Sequence, residues 1–317
     1  MYYSLSTAWN SQNCKNGYVL IEQIRKLGFA RIELGFSISK NSYKQIARCK
    51  KQGLIQVDSV HNFCPVPEGF SRVRVTPDFF SLASLDAVER KKAVRLTLES
   101  LRTAKDIDAQ AFIIHAGRVE MKQKTTALMD MFNQGLKGKK PYIKLLEDMR
   151  AERNKKRNPH LHALLLSLEP LLKKAERFKI KLCLENRFYF REIPAFDEFA
   201  LIFNYYRGCK HLYYWHDVGH AQVSENLGLI KHIHFLDTYK NKLCGLHLHD
   251  ARGTKDHLAP GQGSFNFMRL RPFLNSNHIR VIEVHRPVTG KAIRQAVKIL
   301  NKSLSNGAQR EEAGPVS

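Results

Sequence analysis

None of the six cysteines (Cys14, Cys49, Cys64, Cys183, Cys209 and Cys244) forms a C-x-x-C pair, which argues against a thiolate zinc knuckle. Cys183 and Cys244 lie within apolar, strand-like runs and read as buried thiols. No apolar run is long enough to span a bilayer, and the start, MYYSLSTAWNSQNCK, lacks a basic segment followed by an apolar one. A reduced, cytoplasmic enzyme with no membrane partner is expected. Acidic residues are scarce: 29 Asp and Glu face 52 Lys and Arg in 317 residues, a net charge of +23. That field attracts phosphates, nucleic acid or anionic surfaces, and it equally fits a host with a basic proteome. Charge of this kind speaks to partners and not to fold.

Apolar residues make up 43% of the chain, enough for a sizeable core, and they fall into short runs at regular intervals. Strand-like runs are Tyr2–Trp9, Ala30–Phe36, Ile55–Phe63, Ala111–Gly117, Lys179–Arg187, Tyr213–His220, Lys242–Asp250 and Ile279–His285. Helical spacing marks Asn16–Gly28, Lys40–Gln52, Leu85–Ala104, His160–Phe178, Pro194–Tyr206 and about Gly290 to Leu304. Strands alternating with helices imply a parallel sheet, and eight units predict closure into a (β/α)8 TIM barrel. The domain is read as residues 1–304. A basic stretch at 118–158, broken by Gly135, Gly138 and Pro141 and ending in KKRNP, is read as an insertion after the fourth strand. Residues 305–317 are small and polar and are read as a disordered tail.

In such barrels the chemistry sits at the carboxyl ends of the strands. Those ends supply His61, His115, Glu185, Asp217, His220, His247 and Glu283, and the loop after the seventh strand adds Asp256 and His257. Glu185, Asp217, His247 and Glu283 come from four consecutive strands. Buried together, such groups would need a cation to offset their charge. Imidazoles with carboxylates suit zinc, manganese, magnesium or cobalt. His232, His234, His278 and His285 are read as structural. His249 is placed outside the ligand set, and Glu33 is read as a salt-bridge partner at the barrel floor or rim.

The segments SVHNF, IIHAG, LENR, WHDVGHA, LHLHD, DHLAPGQG and IEVH together resemble the xylose-isomerase-like barrel superfamily. That group holds sugar and sugar-phosphate isomerases and epimerases as well as endonuclease IV. The resemblance spans nearly the whole chain apart from the insertion and the tail. It implies a divalent metal ion (Mn, Mg, Zn or Co) on Glu185, Asp217, His247 and Glu283. In the isomerase branch Glu185 and Glu283 would form the acid/base pair, and His220 and His257 would meet the substrate. In the endonuclease branch His61 and His115 join Glu185 on a second metal, and His220 with a D-x-H pair holds a third. Here Lys255, which cannot ligate, stands two before His257.

Two functions follow from the resemblance. One is a metal-dependent isomerase or epimerase moving a proton alpha to the carbonyl of a sugar or sugar phosphate, with His61, His115, Arg187, His220 and His257 around the substrate. Arg187 and Arg286 would clamp a phosphate or else sit solvated on the rim. The alternative is a metal-dependent phosphodiester hydrolase acting on abasic DNA, which the positive charge favours. Relatives of this kind form homo-oligomers, although no segment here marks an interface.

Overall fold

Alternate residues along each strand point to opposite faces, and this rule organises the interior. The computed structural model describes residues 2–72 and 75–305. Eight parallel strands close into a barrel: β1 (Ser4–Ser6), β2 (Arg31–Leu34), β3 (Gln56–His61), β4 (Ala111–Ile114), β5 (Lys181–Glu185), β6 (Leu212–Asp217), β7 (Leu243–Leu248) and, closing against β1, β10 (Ile279–Ile282). Between β7 and β10 lies a small antiparallel ribbon, β8 (Asp250–Arg252) with β9 (Lys255–Leu258). Ala111, Ile113, Cys183, Trp215, Cys244, Ile279 and Val281 pack as an apolar plug inside the barrel. Two residues further along the same strands stand His115, Glu185, Asp217 and Glu283. A dry layer therefore supports a polar layer at the carboxyl ends. Gly245 leaves room for the largest piece of the plug, because a Cβ there would sit 2.5 Å from the Trp215 ring.

The helices are α1 (Gly17–Lys26), α2 (Lys40–Lys51), α3 (Ala87–Asp106), α4 (Thr125–Asn133), α5 (Lys140–Phe178), α6 (Phe196–Tyr205), α7 (Val218–Asn226), α8 (His232–Tyr239) and α9 (Gly290–Leu304). Side-chain caps start several of them: Asn16 for α1, Ser39 for α2, Asp86 for α3 and Thr289 for α9. Their apolar faces pack on the outside of the barrel in one continuous core. No helix among the described residues is long and apolar enough to cross a membrane.

Four local expectations are corrected. The first strand is short, and Thr7–Trp9 turns into a 3-10 helix capped by Ser6. The sixth strand stops at Asp217, and His220 is helical. Asp217 caps α7 by accepting from His220 N at 2.7 Å, which explains why the carboxylate and the imidazole are three residues apart. The seventh strand ends at Leu248, so Asp250 belongs to the ribbon. Finally, α5 begins at Lys140 and runs 39 residues, continuing through Pro159 and Pro170. At 1.5 Å per residue it is roughly 58 Å long. Proline removes one hydrogen bond but does not outweigh packing on both sides. Met149, Leu161 and Leu164 are buried before and after Pro159, and Arg153 makes a buried ion pair with Glu198 at 2.7 Å. The basic stretch thus contributes α4 and the first half of α5. Together they pack on α7 and the loop after β5 through Leu128, Tyr142, Val223, Leu227 and Phe190. The tail read from residue 305 lies, beyond Ser305, outside the described residues.

A buried imidazole pair ties β6 to α8. Tyr214 OH lies 2.6 Å from His216 Nδ1, His216 Nε2 lies 2.9 Å from His232 Nε2, and His232 Nδ1 lies 3.4 Å from Gln222 Oε1. A neutral imidazole can donate from one nitrogen and accept on the other, so the two rings bond without carrying charge. Burial pushes His216 from the usual 6.5 down to about 3 and His232 well below its usual value. The unfolded chain therefore takes up protons below about pH 6.5 while the folded chain does not. This contribution is complete above that pH and is lost as pH falls toward 3. Urea unfolding between pH 7.5 and 5 is expected to show His232→Gln losing up to ~1.4 kcal/mol less per pH unit than the native chain. Parallel pH profiles for the two proteins would rule the assignment out.

Candidate active site

The polar layer converges on His247. Its Nδ1 lies 2.9 Å from Glu185 Oε1, 3.1 Å from Glu283 Oε2 and 3.6 Å from Asp217 Oδ2. Its Nε2 faces the other way, 3.1 Å from Glu33 Oε2. Glu33 also accepts from Ser6 Oγ at 3.1 Å and Ser59 Oγ at 2.8 Å. Burial alone would raise the Glu33 carboxyl, but His247 beside it overrides this and holds it low. A carboxylate at that place keeps the proton on Nε2 and leaves Nδ1 turned toward the three acids. Glu33 is thus the buried salt-bridge partner expected, and it sits directly beneath the cluster.

One ligand atom from each of Glu185, Asp217, His247 and Glu283 falls within 4.8 Å of the others, as one divalent ion requires. The electrostatics fit as well. Burial lowers an imidazole, yet Glu283, Glu33 and Glu185 hold His247 well above its usual value. The same burial would raise Glu185 and Asp217, yet neighbouring histidines hold both well below the usual carboxylate range. Such a nest of acids calls for positive charge, and a divalent ion supplies more of it than one imidazolium while freeing Nδ1 to ligate.

Around this centre stand the other histidines. His61 Nε2 lies 3.4 Å and His115 Nε2 3.0 Å from Glu185 Oε2. His220 holds Asn186 O through Nδ1 at 3.1 Å and turns Nε2 toward Asp256 Oδ2, 3.6 Å away. Burial pushes His220 down to about 4, so it is neutral near pH 7. Asp256 also reaches His257 Nδ1 at 3.0 Å. His257 sits in β9 at φ +52°, and Asp256 lies between His220 and His257 although Lys255 holds the position two before His257. His249, set outside the ligand cluster, supports it: its Nε2 lies 2.9 Å from Asp217 Oδ2, and its Nδ1 accepts from His257 N at 2.9 Å. Gly219 permits this approach, because a Cβ there would lie 2.0 Å from the His249 ring. Asp250 pins the APGQG loop by accepting from Gly261 N and Gly263 N, each at 2.9 Å.

His61, His115, Glu185, His220, Asp256, His257 and Glu283 open into one cavity of about 400 Å³, whereas Asp217, His247 and His249 are fully buried and do not line it. Phe36, Pro77, Phe188, Tyr189 and Met129 form its apolar walls, Met129 coming from α4. His285, read as structural, also lines it and stacks on His257 with ring centroids 4.1 Å apart. Of the two arginines read as a phosphate clamp or as solvated rim residues, only Arg187 lines this cavity. Arg187 is buried among Asp78, Glu185 and Glu192, whereas Arg286 is exposed beside a neighbouring groove, over the Trp9 ring and bonded to Asn10. Asp78 and Glu192 escaped the sequence reading. Each sits in a loop with no pattern of its own, and only folding brings them to Arg187.

A closed parallel barrel with an acid- and imidazole-rich mouth defines a TIM barrel with a candidate metal site. The chain belongs to the xylose isomerase-like TIM barrel family, whose model matches residues 21–303. No curated protein matches it in sequence at a significant level. Among solved structures it is similar to the 3-keto-D-glucoside 4-epimerase of E. coli (TM-score 0.66, 14% identity, 95% of this chain and 99% of that one). It also resembles a D-tagatose 3-epimerase-like protein (0.64, 17%, 96% and 100%). A third is D-psicose 3-epimerase from Clostridium cellulolyticum (0.62, 14%, 96% and 100%). At these identities the likeness is one of fold.

Glu33→Gln keeps the shape but can present an amide N–H where Nε2–H must be accepted. Metal affinity, measured by competition with a chelator, is expected to fall about 10- to 100-fold with the far-ultraviolet circular dichroism unchanged. Native affinity in that variant would remove Glu33 from the site.

Proposed function

We propose that the chain is a metal-dependent isomerase or epimerase of sugars or sugar phosphates. The observation that carries this reading is the pair Glu185 and Glu283, whose carboxylates belong to one ligand set and face one cavity of about 400 Å³. The structural likeness to sugar epimerases supports it. Glu185, Asp217, His247 and Glu283 would hold a divalent ion (Mn, Mg, Zn or Co), which when bound polarises a substrate carbonyl.

The chain's own groups do the rest. Glu283 is the less encumbered acid, with contacts through Oε2 to His247 and His257, and it takes the proton from the carbon alpha to the carbonyl. Glu185 is held as an anion by His61, His115, His247 and Arg187. Once it has taken a proton from water, it returns that proton to the opposite face for epimerisation or to the adjoining carbon for isomerisation. His220 and His257 line the cavity and orient hydroxyl groups, and His61 and His115 bound its floor beside Glu185. Phe36, Phe188 and Tyr189 exclude water and offer apolar faces to the sugar carbons. The phosphodiesterase alternative would draw on the His61–His115–Glu185 and His220–His249–His257 groups, whose ligand atoms lie within 4.8 Å of one another in each group.

Glu283→Gln and Glu185→Gln are each expected to lower solvent-deuterium uptake alpha to the carbonyl by about 10²- to 10⁴-fold, read by NMR across a panel of ketoses and ketose phosphates. Uptake at the native rate in either variant would sink the acid/base assignment. Incision of an abasic duplex by the native chain would favour the phosphodiesterase reading instead.

A further inference from the structure

Beside the four-ligand set lies a second group with the makings of a metal centre: His61 Nε2, His115 Nε2 and Glu185 Oε2, with ligand atoms within 4.8 Å of one another. His61 is oriented for it, because its Nδ1 is occupied by Asn62 O at 2.9 Å and Nε2 points inward. His115 is oriented likewise, its Nδ1 lying 3.0 Å from Asp78 Oδ2. Yet a side chain of this protein reaches the point where the three converge. Arg187 NH1 is hydrogen-bonded to His115 Nε2 and lies 3.3 Å from Glu185 Oε2. An ion there would need both atoms at about 2.0–2.2 Å, and the guanidinium nitrogen leaves it no room.

We propose that the Arg187 guanidinium serves as a built-in cation in place of a second metal ion, so that the mouth holds one ion and one fixed positive side chain. The reading rests on the metal-dependent function proposed above. Two further carboxylates anchor the group: Arg187 NH2 lies 3.2 Å from Asp78 Oδ2 and 3.4 Å from Glu192 Oε1. Asp78 therefore orients His115 and Arg187 at once. Only 6% of the Arg187 side chain is exposed, so its charge is spent on these acids and not on solvent. An arginine suits the position because it stays charged when buried and presents several donors in a fixed plane. The consequence for substrate is direct. A sugar oxygen beside Glu185 meets an N–H donor where a second ion would have offered a Lewis acid. That serves a neutral hydroxyl or carbonyl better than a phosphodiester bridging several metals.

Removing the guanidinium leaves Asp78, Glu185 and Glu192 without their counter-charge and opens His61 and His115 to metal. The full chain, loaded with Mn(II) and freed of excess, is expected to carry one ion by elemental mass spectrometry. Arg187→Met is expected to carry two, with an exchange-coupled electron paramagnetic resonance signal because Glu185 bridges the pair. Two ions in the native chain, or one in both proteins, overturns the proposal. Should Arg187→Met fail to fold, His61→Ala and His115→Ala decide the matter: each keeps the single ion if the guanidinium fills the second pocket, and loss of the ion from either variant overturns the idea. An ion count of zero in the native chain would overturn both this proposal and the metal-dependent function, whereas a count of two overturns this proposal alone.

Discussion

The architecture turns on compensating buried negative charge. Glu33, Glu185, Asp217 and Glu283 are all buried within a few ångströms of one imidazole. Left alone, such a group would be strongly destabilising, since a buried unpaired charge costs several kcal/mol even after relaxation. The chain answers with histidines on every side, with a buried arginine at the edge, and with a geometry suited to a divalent ion. Every other polar feature of the mouth serves that balance. Asn186 accepts from Asp217 N and donates to Asp217 O, His249 braces the Asp217 carboxylate, and Asp78 steadies both His115 and Arg187.

Such a cluster can be precise only on a rigid support. The apolar plug around Trp215 supplies it, filling the barrel one layer below the ligands. Since strand residues alternate between faces, an inward apolar side chain sets the direction of the polar one two positions on. The pairs Ile113 and His115, Cys183 and Glu185, Trp215 and Asp217, and Val281 and Glu283 all follow this pattern. The basic stretch at 118–158 adds an outer wall. Asn133 Nδ2 reaches Thr254 Oγ1 at 3.1 Å, and Tyr142 OH donates to Leu227 O at 2.9 Å. This buttresses the ribbon that carries Asp256 and His257.

Much of this was legible in the sequence. Apolar runs spaced by helical segments implied the barrel, and the acids and imidazoles at the run ends implied the mouth, because both signals repeat with a short period. The final helix, read from about Gly290 to Leu304, has those bounds in the structure. Reading failed where tertiary contacts overrule local rules. Helical spacing was read only from His160, yet packing on either side of Pro159 carries α5 back to Lys140. His220 looked like the end of a strand, although the Asp217 cap begins a helix there. His285 and His249 looked peripheral, but the ribbon folds back and stacks His257 against both rings, with centroids 4.1 and 4.2 Å apart.

The order of residues by itself determined the barrel and placed acids and imidazoles near the ends of its strands, since both follow from periodicity along a short stretch. Only the tertiary structure decided the partners: Glu33 beneath His247, Asp256 between two histidines, and Asp78 with Glu192 around Arg187. The Arg187–Glu192 and His247–Glu33 pairs lie 5 and 214 positions apart in the chain. Local pattern carries no record of contacts between loops and strands that meet only once the barrel has closed.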